Sequence, residues 1–107
     1  MRHGDLYWYD FQPPDKRRMV DILTRTSAIG FLTNITVAPI TSTIRGIPSE
    51  VVLTPDEGFD HDCAVNADNI QTVAKSRLRA YQTHLAPAKI RALHAAITFA
   101  LGFDIGE

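Results

Sequence analysis

The sequence predicts a mainly β protein, a small and strongly bent β-barrel with one helix packed against it at the C-terminal end. Short runs of β-branched and aromatic residues recur along most of the chain, and turns rich in Pro, Gly and Asp separate them. A helical pattern of apolar residues follows only near the end. With 107 residues the chain can form one hydrophobic core, so we expect a single domain over residues 1–107.

The composition is that of an ordered globular protein, with 45% apolar and 21% charged residues. The N-terminus lacks the pattern of a signal peptide, and no apolar run is long enough to span a bilayer. The one cysteine, Cys63, cannot form an internal disulfide, so we expect it buried in a protein of the reducing cytoplasm. The four histidines are scattered, and only residues 60–62 (Asp-His-Asp) are compact. We interpret that tripeptide as a solvated turn and expect neither a metal nor another cofactor.

The central strand is predicted in the first half of residues 34–46, where β-branched and small residues alternate without a charge. Pro39 has no N–H to donate, so we expect the strand to weaken or bulge there. Thr41, Ser42 and Thr43 follow in a row. Such hydroxyl groups can hold an anion, but Ser and Thr also favour ordinary polar turns, and on this segment alone we interpret them as a turn.

Five further strands are predicted around this stretch, at residues 5–11, 19–24, 49–53, 63–66 and 79–85. We expect an irregular connection at residues 25–33, and a bent continuation of the fifth strand at residues 67–74. Residues 12–15 contain consecutive prolines and predict a loop.

The helix is predicted at residues 87–101, with Pro87 at its first position and Gly102 ending it. Ala86 precedes it and cannot cap it. His94 falls on the apolar stripe and is expected to be a structural histidine with a satisfied ring.

The net charge of −1 conceals separate blocks of charge. Basic residues dominate positions 16–45, acidic residues dominate positions 50–68, and positions 75–91 are basic again. Lys16, Arg17 and Arg18 stand directly before the second strand, where guanidinium groups can make forked contacts to phosphate. A local basic surface of this kind can attract a polyanion although the whole chain is nearly neutral.

Four segments, in this order and spacing, resemble the MazF/PemK family of toxins from type II toxin–antitoxin modules. They are residues 4–8 (Gly-Asp-Leu-Tyr-Trp), 16–18 (Lys-Arg-Arg), 37–46 (Val-Ala-Pro-Ile-Thr-Ser-Thr-Ile-Arg-Gly) and 66–72 (Asn-Ala-Asp-Asn-Ile-Gln-Thr). The likeness includes the final helix. It implies a homodimeric SH3-like barrel of the CcdB/MazF/PemK type, which cleaves single-stranded RNA sequence-specifically without a ribosome or metal and is neutralised by a MazE-like antitoxin.

The resemblance also implies roles for individual residues. Arg18 matches the family arginine that contacts the scissile phosphate, and Thr41 matches the hydroxyl residue that helps to hold it. Family enzymes use the ribose 2′-hydroxyl as the internal nucleophile. Further candidate RNA contacts are Lys16, Arg17, Arg25, Ser42, Thr43, Arg45, Asn69 and Gln71.

The residue that removes the 2′-proton is not identified by the sequence. An arginine is a poor base because its pKa is so high. The loop between the first two strands also lacks the glutamate that some family members place near the active site.

Two further departures concern the second strand. Met19 replaces the usual proline, and Asp21 stands where the family has an apolar residue; we expect Asp21 to face solvent or a partner's base, unless the strand itself differs. Two alternatives therefore stay open: a CcdB-like toxin that poisons DNA gyrase without catalysis, and a degenerate barrel that only binds RNA or a partner. Gyrase poisons of that type depend on their terminal residues, which here are residues 103–107.

Overall fold

The chain forms a curled antiparallel sheet of seven strands with a helix packed against it, as seen in a computed structural model that describes residues 1–14 and 16–105. The strands are β1 (Asp5–Asp10), β2 (Arg17–Ile22), β3 (Asn34–Thr41), β4 (Glu50–Leu53), β5 (Cys63–Asn66), β6 (Gln71–Ala74) and β7 (Leu78–His84). Their spatial order is β4-β5-β3-β2-β1-β7, with β6 also paired to β3. The predicted mainly β fold with a C-terminal helix is confirmed.

The central strand β3 changes its partner along one edge. Its first half pairs with β6, with Val37 opposite Gln71, and its last residues pair with β5, with Ile40 opposite Val65. Pro39 falls between these two ladders, so its missing N–H coincides with a break in pairing. The strand itself runs continuously through Pro39.

The prediction that residues 67–74 continue β5 is wrong, and the break in pairing explains why. A 3₁₀ turn at Ala67–Asn69 separates β5 from β6, and the buried side chain of Ala67 anchors it. The side-chain oxygen of Asn66 accepts a hydrogen bond from the Asp68 N–H at 3.0 Å and caps the turn. One apparent strand is therefore two, each paired with a different half of β3.

Two other connections contain more structure or different bounds than expected. Residues 25–33, predicted to be irregular, include a single helical turn, α1 (Thr26–Ile29), whose Ala28 and Ile29 are buried. Strand β2 begins at Arg17, before the predicted start, because Arg17 and Arg18 already pair with β1. The basic residues therefore lie in the sheet as well as in the loop before it. Asp15, part of the predicted loop, lies outside the described residues.

The hydrophobic core has two parts, one beneath the helix and one between the sheet and α1. The first includes the fully buried Leu6, Leu53 and Leu93, and the second includes Val20, Ile22 and Val37. Cys63 is buried in the first part, as predicted. None of the helices in the described ranges is long and apolar enough to cross a membrane.

Helix α2 (Pro87–Ala100) follows the predicted pattern closely. Leu93 and Ala96 are its buried residues, and Gly102 ends it with a positive φ of 78°. The prediction that His94 belongs to the buried stripe is wrong, because this residue is exposed. Its ring does have a partner: the Nε2 atoms of His94 and His3 lie 2.8 Å apart.

Asp21 is completely buried in the middle of β2, opposite Leu6 of β1 and Ala38 of β3. Neither carboxylate oxygen has a hydrogen-bond partner within the described part of the chain. The expectation that Asp21 faces solvent or a base is therefore wrong. Burial raises the pKa of Asp21 well above its ordinary value, and the nearby Asp5 carboxylate raises it further.

Replacing Asp21 with Asn should remove a pH dependence of stability. The folded state keeps the Asp21 carboxyl protonated to higher pH than the unfolded chain does. The contribution of this protonated carboxyl to stability is complete below the ordinary pKa of 3.8 and is lost as pH rises through the raised pKa. Thermal unfolding of the wild type and Asp21→Asn from about pH 4 to 8 measures this, and the variant should gain relative stability as pH rises. Asp56→Asn, at an exposed site, is the control. Parallel curves for the wild type and Asp21→Asn would contradict the prediction.

A cap should stabilise helix α2. Ala86 has the extended backbone of an N-cap residue, with φ −61° and ψ 154°, but no side-chain cap bond. Ala86→Ser should increase the free energy of unfolding by about 0.5–2 kcal/mol, because the hydroxyl can accept a bond from a free helix N–H. Urea denaturation measures the change. Ala92→Ser, at an exposed position inside the helix, should give no gain, and an equal gain there would argue against capping.

Candidate active site

The pairing of β2 with β3 brings the basic and hydroxyl segments together. Val20 lies opposite Pro39, and Asp21 lies opposite Ala38. The same antiparallel register, continued by two residues, places Arg18 opposite Thr41. The start of one strand and the end of the next therefore meet at the same edge of the sheet.

Arg18 and Thr41 line a cavity of about 440 Å³, which we call the basic cavity. Lys16 and Arg17 lie on its walls, and no carboxylate is among its lining residues within the described chain. The complete lining is Trp8, Pro14, Lys16, Arg17, Arg18, Met19, Ile40, Thr41, Ser42, His61 and Cys63. Three positive side chains beside two hydroxyl groups make this cavity suited to a phosphate group.

The apolar wall of the basic cavity is held in place from behind. The Trp8 indole Nε1 donates a hydrogen bond of 2.9 Å to Oε1 of Gln82 on β7. This bond joins the side chains of two neighbouring strands and fixes the plane of the indole. A half-buried aromatic ring held in this way can stack with a planar base.

Arg17 lines the basic cavity and also forms an ion pair with a carboxylate outside it. Its Nε lies 2.8 Å from Oδ1 of Asp10, and Nε of Arg79 lies 2.7 Å from Oδ2 of the same residue. The hydrogen bond from Arg17, followed by that from Arg79, lowers the pKa of Asp10. Two guanidinium groups around one carboxylate leave this edge of the cavity positively charged.

A second cavity, of about 260 Å³, lies next to the first, and we call it the amide cavity. Its lining is Phe11, Arg18, Pro39, Ile40, Thr41, Asn66, Asn69 and Gln71. The Asn66 oxygen already accepts the bond from Asp68, so its NH₂ group remains to donate. Gln71 Nε2 donates to the Asn69 carbonyl at 3.4 Å, so the Gln71 oxygen remains to accept. Such a pair of groups is suited to the polar edge of a base.

Arg18 and Thr41 line both cavities, and so form part of the wall between them. The Thr41 hydroxyl oxygen accepts a bond from the Thr43 N–H at 3.1 Å, and its hydrogen remains for a ligand. The hydroxyl run therefore makes a local hydrogen bond, and Thr41 and Ser42 also line the basic cavity.

The structure brings together most, but not all, of the predicted site residues. Lys16, Arg17 and Ser42 line the basic cavity, and Asn69 and Gln71 line the amide cavity. Arg25, Thr43 and Arg45 line neither. They remain predictions for contacts outside the cavities.

Sequence reasoning missed two titratable residues of the basic cavity, Cys63, which was expected only in the core, and His61. His61, interpreted as part of a solvated turn, is exposed but lies on the wall of this cavity. The only sequence signal for it is its place two residues before β5. Within the described residues, no group of three or more His, Cys, Asp or Glu side chains is arranged to hold a metal.

A family model describing a "PemK-like, MazF-like toxin of type II toxin-antitoxin system" matches residues 2–101. The chain belongs to this family. The match covers all seven strands, helix α2 and both cavities of this MazF-like toxin.

Two named relatives support the family assignment. The chain is 40% identical over 90 residues to the endoribonuclease MazF3 of Mycobacterium tuberculosis, covering 84% of this chain and 87% of the relative. It is 35% identical over 99 residues to the probable endoribonuclease MazF5 of the same organism, covering 92% and 90%.

Solved structures show the same fold. The Mycobacterium tuberculosis toxin MazF-mt6 matches with a TM-score of 0.84 at 36% identity, over 92% of this chain and 96% of that one. A mycobacterial endoribonuclease solved in complex with its cognate antitoxin matches with a TM-score of 0.83 at 25% identity, over 95% of both chains.

Proposed function

We propose that this chain is a sequence-specific endoribonuclease toxin, an mRNA interferase that cuts single-stranded RNA without a ribosome or a metal ion. Relatives that carry the name endoribonuclease support this activity. The main structural support is the wall that Arg18 and Thr41 share. An RNA strand with one nucleotide in each cavity would place the connecting phosphodiester against this wall.

The chemistry we propose at this wall is attack of the ribose 2′-hydroxyl on the adjacent phosphorus. The O2′–P bond forms, the P–O5′ bond breaks, and the products carry a 2′,3′-cyclic phosphate and a 5′-hydroxyl. Arg18 stabilises the negative charge that grows on the phosphoryl oxygens, and the Thr41 hydroxyl donates a hydrogen bond to one of them. The backbones of both residues belong to paired strands, which fixes the points from which the two side chains extend.

RNA binding would divide between the two cavities. In the basic cavity, Lys16 and Arg17 attract the backbone, and Trp8 offers a face for stacking. In the amide cavity, Asn69 and Gln71 contact the edge of a base. The amide cavity therefore supplies sequence preference, whereas the basic cavity supplies affinity that weakens with added salt.

Arg18→Ala should abolish most RNA cleavage while the protein remains folded, because Arg18 is exposed and lies outside the core. We expect the rate to fall by about 10²–10³-fold or more, the usual effect of losing one preorganised charge-stabilising donor. The measurement is cleavage of labelled single-stranded RNA in EDTA, with detection of the cyclic phosphate end.

Arg91→Ala is the matched control, since it removes an exposed arginine on α2 away from both cavities. It should cleave at the wild-type rate. Wild-type cleavage by Arg18→Ala would remove Arg18 from the chemistry. Intact RNA with trapped gyrase–DNA complexes would instead support the CcdB-like alternative. Of the terminal residues 103–107 on which that alternative depends, Gly106 and Glu107 lie outside the described residues. Binding without turnover would support the degenerate barrel.

We also propose that the toxin is a cytoplasmic homodimer of this single domain, neutralised by a MazE-like antitoxin. The structural relative bound to its cognate antitoxin supports such a partner. Large apolar side chains at the C-terminal end support a contact with a second copy, since Leu101, Phe103 and Ile105 are each more than half exposed. An acidic antitoxin segment would complement the positive charge of the basic cavity.

Antitoxin and RNA should compete for the toxin. An RNA with deoxyribose at the cut site cannot be cleaved, so its binding can be followed by fluorescence anisotropy. Adding the cognate antitoxin should release this RNA completely, since the positive charge of the basic cavity attracts both the RNA and an acidic antitoxin segment. Formation of a ternary complex would show that the antitoxin binds elsewhere.

A further inference from the structure

The proposed reaction needs a group that removes a proton from the 2′-hydroxyl, and neither Arg18 nor Thr41 is suited to this role. A guanidinium stays protonated in proteins, and an alcohol is a very weak base. The missing group must reach the phosphodiester at the wall between the two cavities. The candidates are therefore the proton acceptors among the lining residues of the two cavities.

The amide cavity contains no titratable side chain besides Arg18 among its described lining residues. The basic cavity contains Lys16, Arg17, Cys63 and His61 in addition. Lysine and arginine carry their protons at neutral pH. Burial raises the pKa of the Cys63 thiol, with the charges of Asp62 and Glu57 adding to the effect, so this group also stays protonated. Histidine is the side chain that ordinarily exchanges a proton between about pH 5 and 8.

The sheet places the strand that follows His61 beside Thr41. Strand β5 begins at Cys63, and its next residue, Ala64, lies opposite Thr41 of β3. On the other edge of β5, Cys63 is paired with Leu53 of β4. His61 is thus the loop residue just ahead of a strand that is held on both edges, and it reaches the cavity that Thr41 lines.

Charged residues of both signs either flank His61 in the chain or line the same cavity. Its own loop supplies Asp60 and Asp62, both exposed. From the start of β2 and the residue before it, Lys16, Arg17 and Arg18 face the same cavity, and β5 supplies the Cys63 thiol. The two carboxylates are neighbours of His61 in the chain, whereas the three cations share its cavity.

We propose that His61 is the general base of the RNA cleavage reaction, an inference that rests on the proposed function. The neutral imidazole takes the proton from the 2′-hydroxyl as the O2′–P bond forms. As the P–O5′ bond breaks, the departing 5′-oxygen takes a proton from a water molecule of the open cavity. The hydroxide left behind removes the proton from the imidazolium, which returns His61 to its starting state and balances the reaction.

The test is single-turnover cleavage of labelled RNA by wild type, His61→Gln and His94→Gln over a range of pH from about 5 to 9. His61→Gln should cleave about 10²–10⁴-fold more slowly, the usual contribution of a general base. The wild-type rate should rise with pH and then level off, and His61→Gln should lose this rise. His94→Gln removes an exposed histidine outside both cavities and should match the wild type.

Two further measurements separate a base from other roles. Added imidazole should restore part of the activity of His61→Gly, because a free base can enter the open cavity. A uridine 3′-phosphodiester with a p-nitrophenyl leaving group needs no acid, so His61→Gln should remain slow on it. The affinity of His61→Gln for RNA with deoxyribose at the cut site should equal that of the wild type.

Each other outcome overturns the inference. Wild-type rates and pH dependence in His61→Gln would exclude a catalytic role. Recovery with the p-nitrophenyl substrate would make His61 the acid instead of the base. A loss confined to RNA affinity would make it a binding residue. If the wild type cleaves no RNA under any condition, the proposed function fails as well, so the two failures can be told apart.

Discussion

The antiparallel register between β2 and β3 is the constraint on which the rest of the site depends. With Val20 opposite Pro39, the first residues of β2 must lie beside the last residues of β3. A shift by one residue would turn Arg18 to the other face and would also expose the apolar side chains of both strands. The core residues Val20, Ile22 and Val37 therefore hold in place the strand ends that carry Arg18 and Thr41, although they line neither cavity.

A second constraint comes from the change of partner along β3. Because its two halves pair with different strands, the residues between β5 and β6 form a turn that presents side-chain amides at the edge of the sheet. Asn66 and Asn69 stand there because a 3₁₀ turn, and not a strand, connects the two halves. The two cavities thus have separate structural origins: one lies where β2 and β3 end, and the other where β3 changes neighbours.

Local patterns in the sequence predicted the strand β5 with its observed bounds and helix α2 with its start at Pro87. They also placed Arg18 and Thr41 at strand ends, and the family resemblance joined them in one site. Features that depend on pairing between distant strands could not be predicted in this way. Residues 67–74 carry no local signal for two strands, and nothing near Asp21 in the sequence shows that it is fully buried. His61 was overlooked for the same reason, since its cavity exists only when β5 pairs with β3.

The hydrogen bond between Trp8 and Gln82 has a practical consequence. Trp8 is the one tryptophan of the chain, and its indole lies on the wall of the basic cavity with its nitrogen bonded to the neighbouring strand. Entry of a nucleotide would change the surroundings of this ring while the bond holds its position. The protein therefore carries an intrinsic optical reporter of ligand occupancy, which needs no dye and no added label.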